Sequence, residues 1–241
     1  MFSPEGPTLR ELAVQALSSV EHGYDLLAPK FDHTPFRTPG SVLDAVGSLL
    51  ARTGPYDDGL DLCCGTGAGL DVLARVCRGT VTGVDFSAGM LDVARERAPR
   101  AAVRTALVRA DARALPFTAA FDLVVSFGAL GHFLPAELPV VFGQVHSVLR
   151  PGGVFALPVF APPPPRSRTF WTLLGFDAVM RVRNAVWRPP FVMYYRAYRF
   201  GDVLRELEHA GFQVELHPLP DFGRRADGSP RGRLIAARRL P

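Results

Sequence analysis

Residues 59–69 of this 241-residue chain read Gly59-Leu60-Asp61-Leu62-Cys63-Cys64-Gly65-Thr66-Gly67-Ala68-Gly69, a short apolar run that ends in a glycine-rich turn. Apolar residues then return at helical spacing, at Leu70, Leu73 and Val76. Such a turn lets a ligand approach backbone N–H groups closely, because glycine has no Cβ in the way. The segment therefore predicts a βα unit of a parallel sheet, with a nucleotide-type pocket at the carboxyl end of the strand.

The chain on the carboxyl side of this turn repeats the alternation of strand and helix. The predicted strands two to five are residues 80–84, 106–110, 121–126 and 154–157. Ser87 fits the N-cap of the helix that follows the second strand. Residues 202–210 predict a helix, and residues 213–217 and 233–237 predict an antiparallel hairpin at the edge of the sheet. Strands that alternate with helices are typical of an α/β fold with a mostly parallel sheet.

We interpret the chain as one domain with four parts. They are a helical N-terminal cap (1–50), a ligand-binding core (51–160), an aromatic-rich lid insertion after strand five (161–200), and a last helix with a C-terminal hairpin (201–241). Four consecutive prolines at 162–165 stiffen the start of the insertion.

Two acidic residues stand at the ends of successive predicted strands. Asp85 lies 20 residues after Gly65, where a carboxylate can accept hydrogen bonds from both hydroxyls of a ribose. Asp111 ends the third strand, where it can accept from the amino group of an adenine. Either residue alone is also typical of a helix cap or a turn. Together, beside a glycine-rich turn, they indicate an adenosine site.

Five motifs in this order resemble class I S-adenosylmethionine-dependent methyltransferases, in the small-molecule branch that includes ubiquinone- and menaquinone-biosynthesis-like enzymes. The motifs are residues 59–69, 83–91, 111–117, 121–126 and 149–153. The resemblance implies a Rossmann-like, seven-stranded, mostly parallel sheet between helices, with one antiparallel strand. It also implies S-adenosyl-L-methionine as cofactor and S-adenosyl-L-homocysteine as product. Cys63 departs from the pattern, because the family often has a glycine there.

The same resemblance implies the residues that hold the cofactor. From the motifs they are Asp61, Cys63, Gly65, Gly67, Asp85, Phe86, Met90, Asp111, Ala112 and Phe127, and from the N-terminal cap they are Tyr24 and Arg37. In the cap, Arg37 is a candidate partner for the carboxylate of the cofactor.

Other classes of enzyme that contain a glycine-rich turn fit the chain less well. A nicotinamide-dependent dehydrogenase needs a glycine three positions after Gly67, where this chain has Leu70. Methylation of base or amide nitrogen usually goes with an Asn/Asp-Pro-Pro-aromatic motif, but residues 126–129 read Ser126-Phe127-Gly128-Ala129. Metal-dependent catechol methylation requires a carboxylate near position 126, where this chain has Ser126. These comparisons favour methyl transfer to oxygen, nitrogen or carbon of a small molecule.

His132, just after the fourth strand, is the candidate catalytic residue. A histidine has an ordinary pKa suited to a general base, which is needed if the acceptor is a hydroxyl group. A histidine that packs or forms hydrogen bonds near the cofactor is an alternative interpretation.

Residues 170–198 are rich in aromatic side chains and are interspersed with arginines. We expect this segment to bind the acceptor through Trp171, Trp187, Tyr194 and Tyr195. Residues 166–199 hold seven arginines and one aspartate, and residues 224–241 hold six arginines and one aspartate. This charge predicts an apolar acceptor with an anionic group, bound by the C-terminal third. An RNA methyltransferase would use the same basic and aromatic residues, and a non-catalytic partner protein is a third hypothesis.

Composition excludes several classes of protein. With 48% apolar and 21% charged residues, the chain is far from the composition of a disordered protein. The three cysteines have neither a disulfide pattern nor the spacing of metal ligands, so we expect no metal and a reducing, cytoplasmic location. No apolar run reaches the length of a transmembrane helix, and no signal peptide is visible.

Overall fold

The computed structural model describes residues 5–34, 36–97, 103–187, 191–192 and 198–240. Its strands are β1 (Gly59–Leu62), β2 (Thr80–Asp85), β3 (Arg104–Arg109), β4 (Phe121–Val125), β5 (Leu149–Phe160), β6 (Phe212–Arg224) and β7 (Pro230–Arg239). Its helices are α1 (Leu9–Leu17), α2 (Val20–Leu27), α3 (Gly40–Thr53), α4 (Ala68–Val76), α5 (Ala88–Arg97), α6 (Leu138–Val148), α7 (Arg168–Val186) and α8 (Phe200–His209). No helix among the described residues is both long and apolar enough to cross a membrane.

The seven strands form one sheet in the order β3-β2-β1-β4-β5-β7-β6. Neighbours from β3 to β5 run parallel, and β7 runs antiparallel to both β5 and β6. The predicted fold is therefore confirmed, including its single antiparallel strand. The strand order reverses between β1 and β4, because β2 and β3 lie on one side of β1 and the later strands on the other. A crevice opens at the carboxyl ends of the strands at such a reversal.

Helices cover both faces of the sheet because side chains alternate along each strand. In β4, Val124 packs in one core cluster with Phe142 of α6 and Leu207 of α8. Its neighbour Leu123 packs in the other cluster, with Val46 of α3. Both faces of this central strand are buried, so its position at the centre of the sheet is fixed by packing on two sides.

The strands β5, β6 and β7 extend further than the sequence pattern predicts. At the carboxyl end of β4 the last pair in register joins Val125 to Ala156, whereas β5 continues to pair with β7 as far as Phe160. These extra residues rise beyond the carboxyl edge of the parallel strands. They form a side wall for the space above that edge.

Helix α7 of the insertion packs against the N-terminal helices. Arg183 donates hydrogen bonds to the carbonyl oxygens of Ala16 at 2.7 Å and of Ser18 at 2.9 Å. Met180 joins a small core cluster that includes Tyr24 of α2 and Phe191. The insertion and the N-terminal cap are thus held together through direct contacts.

Candidate functional site

The turn after β1 has a backbone that favours glycine at three positions. The φ angles are +58° at Cys63, +52° at Gly65 and +90° at Gly67. Cys63 therefore adopts a left-handed conformation, at the position where the resembling family often has glycine. A left-handed residue with a Cβ costs about 1–2 kcal/mol, so the chain accepts local strain at this point. At Gly65 a Cβ would have no neighbour within 4 Å, so this part of the turn is open.

Asp85, at the end of β2, connects this turn to the next one. One carboxylate oxygen accepts from the backbone N–H of Gly65 at 2.9 Å, and the other accepts from that of Ser87 at 3.0 Å. Asp85 is only 7% exposed, and burial raises the pKa of its carboxyl group while the backbone hydrogen bonds oppose the shift. A carboxylate oxygen can accept more than one hydrogen bond, so both oxygens keep capacity for a ligand.

A cavity of about 560 Å³ lies above this turn, and we call it the first cavity. Nine of the twelve residues predicted to hold a cofactor line it: Tyr24, Cys63, Gly65, Asp85, Phe86, Met90, Asp111, Ala112 and Phe127. The sequence did not indicate several other lining residues, among them Phe31, Phe36, Phe133 and Val192. The tertiary structure thus brings the ends of β1, β2 and β3 together with the N-terminal helices.

Three predicted cofactor residues do not line the first cavity. Asp61 is 1% exposed behind the turn, where a Cβ on Gly69 would come within 2.4 Å of its carboxylate. Gly67 begins α4, and a Cβ there would meet Ala94 at 3.3 Å. Arg37 lies 3.5 Å from Asp32 and forms an ion pair with it. Packing and ion pairing place these three residues beside or behind the cavity, and a role of theirs in holding the cofactor stays a prediction.

Asp61 has no charged partner in its buried position. Burial raises its pKa well above the ordinary range, and the nearby carboxylate of Asp85 adds to the shift. One of its carboxylate oxygens has no hydrogen-bond partner among the described residues. Its carboxylate lies under the glycine-rich turn, next to Gly69.

Asp111 is bound to an arginine on the rim of the first cavity. Arg113 donates to both carboxylate oxygens, at 3.0 Å from Nε and 2.7 Å from Nη2, and this lowers the pKa of Asp111. Arg113 also contacts Glu137. The charge of this arginine is therefore compensated by two carboxylates.

His132 forms a hydrogen-bonded pair with Tyr24. The Tyr24 hydroxyl lies 3.0 Å from Nε2 of His132, and the carbonyl oxygen of Val192 lies 3.2 Å from Nδ1. A carbonyl oxygen can only accept, so these contacts assign the proton to Nδ1 and leave Nε2 to accept from the tyrosine. Burial lowers the pKa of His132, which favours the neutral imidazole.

A second cavity of about 530 Å³ adjoins the first. The two cavities share Gly128, Ala129 and His132 as lining residues. The second is bounded by the end of β5 (157–160) with the prolines that follow, the start of α8, and the hairpin of β6 and β7. His132 therefore lies where the two spaces meet.

The structure describes two of the four aromatic residues predicted to bind the acceptor. Trp171 is 62% exposed and Trp187 is 50% exposed, and neither lines a cavity. The indole N–H of Trp187 donates to the carbonyl oxygen of Leu17, so this residue fastens α7 to the N-terminal helices. Tyr194 and Tyr195 lie outside the described residues. Trp171 and Trp187 thus lie outside both cavities, and a role of theirs in binding the acceptor stays a prediction.

Two neighbouring parts of the insertion do reach the cavities. The ring of Phe191 stacks on that of Tyr24, with centroids 6.3 Å apart, and Val192 lines the first cavity. Tyr198 lines the second cavity and donates its hydroxyl to the carbonyl oxygen of Phe133. Among the described residues, no group of three or more histidines, cysteines and carboxylates is arranged to hold a metal ion.

Comparison with known proteins agrees with this geometry. Residues 60–153 match a family described as a methyltransferase domain. A demethylmenaquinone methyltransferase of Thermus thermophilus is 37% identical over 107 residues, which cover 44% of this chain and 48% of the relative. A 2-phytyl-1,4-naphtoquinone methyltransferase of Nostoc punctiforme is 35% identical over 135 residues, which cover 52% of this chain and 56% of the relative.

The chain thus spans about half the length of the curated relatives that it matches. Among solved structures, a putative O-methyltransferase of Nostoc punctiforme superposes with a TM-score of 0.66 at 21% identity. The superposition covers 92% of this chain and 62% of that one. This likeness shows the shared fold.

Proposed function

We propose, from the match of residues 60–153 to a methyltransferase-domain family, that this chain is a class I S-adenosylmethionine-dependent methyltransferase of the small-molecule branch and methylates a small-molecule acceptor. The observation that carries the proposal is the junction of two cavities at Gly128, Ala129 and His132. One cavity has the groups that an adenosine-containing cofactor requires. The other gives an acceptor access to the same point.

The first cavity fits S-adenosylmethionine. Asp85 would accept from the ribose hydroxyls, since a carboxylate oxygen that accepts from a backbone N–H keeps further acceptor capacity. Asp111 and Ala112 would border the adenine, with Phe86 and Met90 as apolar walls. The open space at Gly65 leaves room for the ligand beside the turn, where a side chain would intrude.

When bound, S-adenosylmethionine supplies a methyl group that is activated by a positively charged sulfur. The protein then has to align the acceptor and exclude water, which is catalysis by proximity. Phe31, Phe127 and Phe133 supply apolar surface to the first cavity for this purpose. We propose that the acceptor occupies the second cavity, whose described walls near β5 are mainly apolar.

For a hydroxyl acceptor we propose that His132 is the base. Its Nδ1–H is held by the Val192 carbonyl, so Nε2 carries the lone pair. That lone pair accepts from Tyr24 in the described structure, and the tyrosine hydroxyl has to give up this hydrogen bond before Nε2 takes a proton from the acceptor. The Val192 carbonyl would then keep the imidazole in one orientation while Nε2 faces the acceptor.

The named relatives support a ring-bearing, largely apolar acceptor. Their names refer to demethylmenaquinone and to a phytyl naphthoquinone. We propose that the acceptor of this chain is a small aromatic or quinone-type compound, methylated on oxygen, nitrogen or carbon.

Calorimetry and a methylation screen test the proposed function. We expect the chain to bind S-adenosylhomocysteine. We also expect it to convert S-adenosylmethionine to S-adenosylhomocysteine when a compound library of phenols and reduced quinones is supplied. Binding of a nicotinamide dinucleotide in preference to S-adenosylhomocysteine would contradict the proposal. Activity on RNA that falls steeply with salt, without activity on small molecules, would favour the RNA methyltransferase instead.

A further inference from the structure

We propose that the second cavity selects acceptors with an apolar body and an anionic group, and that Arg231 and Arg233 determine this specificity. The inference rests on the proposed function, because it names the class of acceptor for the same site. The sequence-based expectation assigned the anion preference to the whole C-terminal third and the binding of the acceptor to the aromatic insertion, whereas this inference assigns recognition of the anion to two residues of β7.

The charge of the second cavity is compensated by protein carboxylates only in part, at Arg225, whose charge acts on Asp227. Four arginines line it, and the described lining includes no aspartate or glutamate: the arginines are Arg199, Arg225, Arg231 and Arg233. Within the described part of the chain, none of the four forms an ion pair with a carboxylate. Arg113 in the first cavity differs, because Asp111 and Glu137 neutralise it. A concave surface with one sign of charge attracts ligands of the opposite charge.

Two of these arginines are held in place by neutral groups. Arg231 and Arg233 are separated by one residue on β7, so both side chains lie on the same face of the strand. Arg231 donates from Nη2 to the carbonyl oxygen of Pro162 at 3.0 Å. The guanidinium carbon of Arg233 lies 5.2 Å from the centroid of the Phe200 ring. These contacts restrain both groups without removing their charge, and further N–H donors remain for a ligand.

The register of the sheet sets the distance between the arginines and the junction of the cavities. Ala156 pairs with Val125 at the end of β4, and Arg233 pairs with Val159, three residues further along β5. At about 3.3 Å per residue, the backbone of Arg233 is roughly 10 Å beyond the level at which β4 ends. An acceptor that reacts near His132 can therefore extend along β5 and bring its anionic group toward Arg233.

The wall between these two points is apolar. Leu157, Val159 and Phe160 of β5 and Val203 of α8 line the cavity along this distance. A ligand with a hydrophobic body can bury surface there, and its charged end can reach the arginines. Arginine binds carboxylate and phosphate oxygens through paired N–H donors, so both anions fit this chemistry.

A matched pair of fluorescent probes tests the proposal. The probe 8-anilinonaphthalene-1-sulfonate has an apolar body and an anionic group, and N-phenyl-1-naphthylamine has the same body without the charge. Both are titrated into the protein saturated with S-adenosylhomocysteine. We expect the wild-type protein to bind the sulfonate at least about tenfold more tightly, since hydrogen bonds to charged groups contribute roughly 1.5–3 kcal/mol.

Variants of β7 identify the residues responsible. We expect the double variant Arg231→Gln/Arg233→Gln to weaken binding of the sulfonate about tenfold or more, and to leave binding of the neutral probe within about twofold. Arg238→Gln is the matched control. It removes one positive charge from the same strand, at an exposed position whose side chain donates to the carbonyl oxygen of Gly152 outside both cavities.

Three results would overturn the proposal: equal affinity of the wild type for both probes, parallel loss of both in the double variant, or an equal effect of Arg238→Gln. Competition by decanoate, decyl phosphate and decanol then identifies the anion. Stronger displacement by decanoate supports a carboxylate, stronger displacement by decyl phosphate supports a phosphate, and equal displacement by decanol contradicts the inference. Calorimetry with S-adenosylhomocysteine distinguishes failure of this inference from failure of the proposed function. A wild-type protein that does not bind S-adenosylhomocysteine would contradict the proposed function itself.

Discussion

Replacement of Asp85 by alanine tests the cofactor site most directly. The side chain accepts from Gly65 and from Ser87 in a buried position, and the variant leaves both N–H groups without this acceptor. A buried donor that loses its partner costs about 1–3 kcal/mol. We therefore expect the free energy of unfolding to fall by roughly 2–4 kcal/mol, which a domain of ordinary stability survives at low temperature.

The same substitution removes the charged acceptor for the ribose hydroxyls. We expect the free energy of binding S-adenosylhomocysteine to become less favourable by about 1.5–3 kcal/mol. This corresponds to a roughly 10- to 150-fold larger dissociation constant. Isothermal titration calorimetry at low temperature measures this loss, and circular dichroism confirms that the variant is folded. Asp71→Ala is the control, because it removes a carboxylate from an exposed position on α4.

Wild-type affinity in a folded Asp85→Ala variant would refute the reasoning, since the carboxylate would then have no role in binding. Loss of affinity in Asp71→Ala to the same extent would also refute it. In that case a change in net charge, and not the position of Asp85, would explain the effect.

Three further predictions concern the base and the insertion. If His132 takes a proton from the acceptor, His132→Ala lowers the methylation rate by about 10²- to 10⁴-fold with nearly unchanged cofactor affinity, and equal loss of both would indicate a packing role. Because burial lowers the pKa of His132 below its ordinary value of 6.5, we expect the acid limb of the pH profile of kcat/KM below pH 6.5; a limb above that value would contradict the assignment. The unfolded state binds the proton more readily, so the neutral histidine stabilises the fold above pH 6.5, and this contribution declines as the pH falls below it. Arg183→Met removes the hydrogen bonds to Ala16 and Ser18, and should lower the free energy of unfolding by about 1–3 kcal/mol and speed proteolysis within α7, whereas Arg168→Met, at an exposed position on the same helix, should change neither.

The sequence by itself determined the order of the strands and the identity of the central turn. Local patterns specify these features, because apolar runs set the strands and the glycine-rich segment at 63–69 permits left-handed backbone angles. The carboxyl ends of parallel strands meet at one edge, so the positions of Asp85 and Asp111 followed from the strand assignment alone. The same reasoning could not tell that Asp61 lies behind the turn, since that depends on its packing against Gly69.

Tertiary structure alone decided the contacts between distant parts of the chain. Tyr24 and His132 are separated by 108 positions, and no periodicity within either segment indicates that they meet. The aromatic residues of α7 had a composition typical of a pocket, but the packing of the helix on α1 and α2 exposes Trp171 and Trp187. The arginines of the second cavity depend on where the long β6–β7 hairpin ends. That position is set by the register between β5 and β7, because hydrogen bonding along the strands carries Arg231 and Arg233 beyond the edge of the parallel sheet.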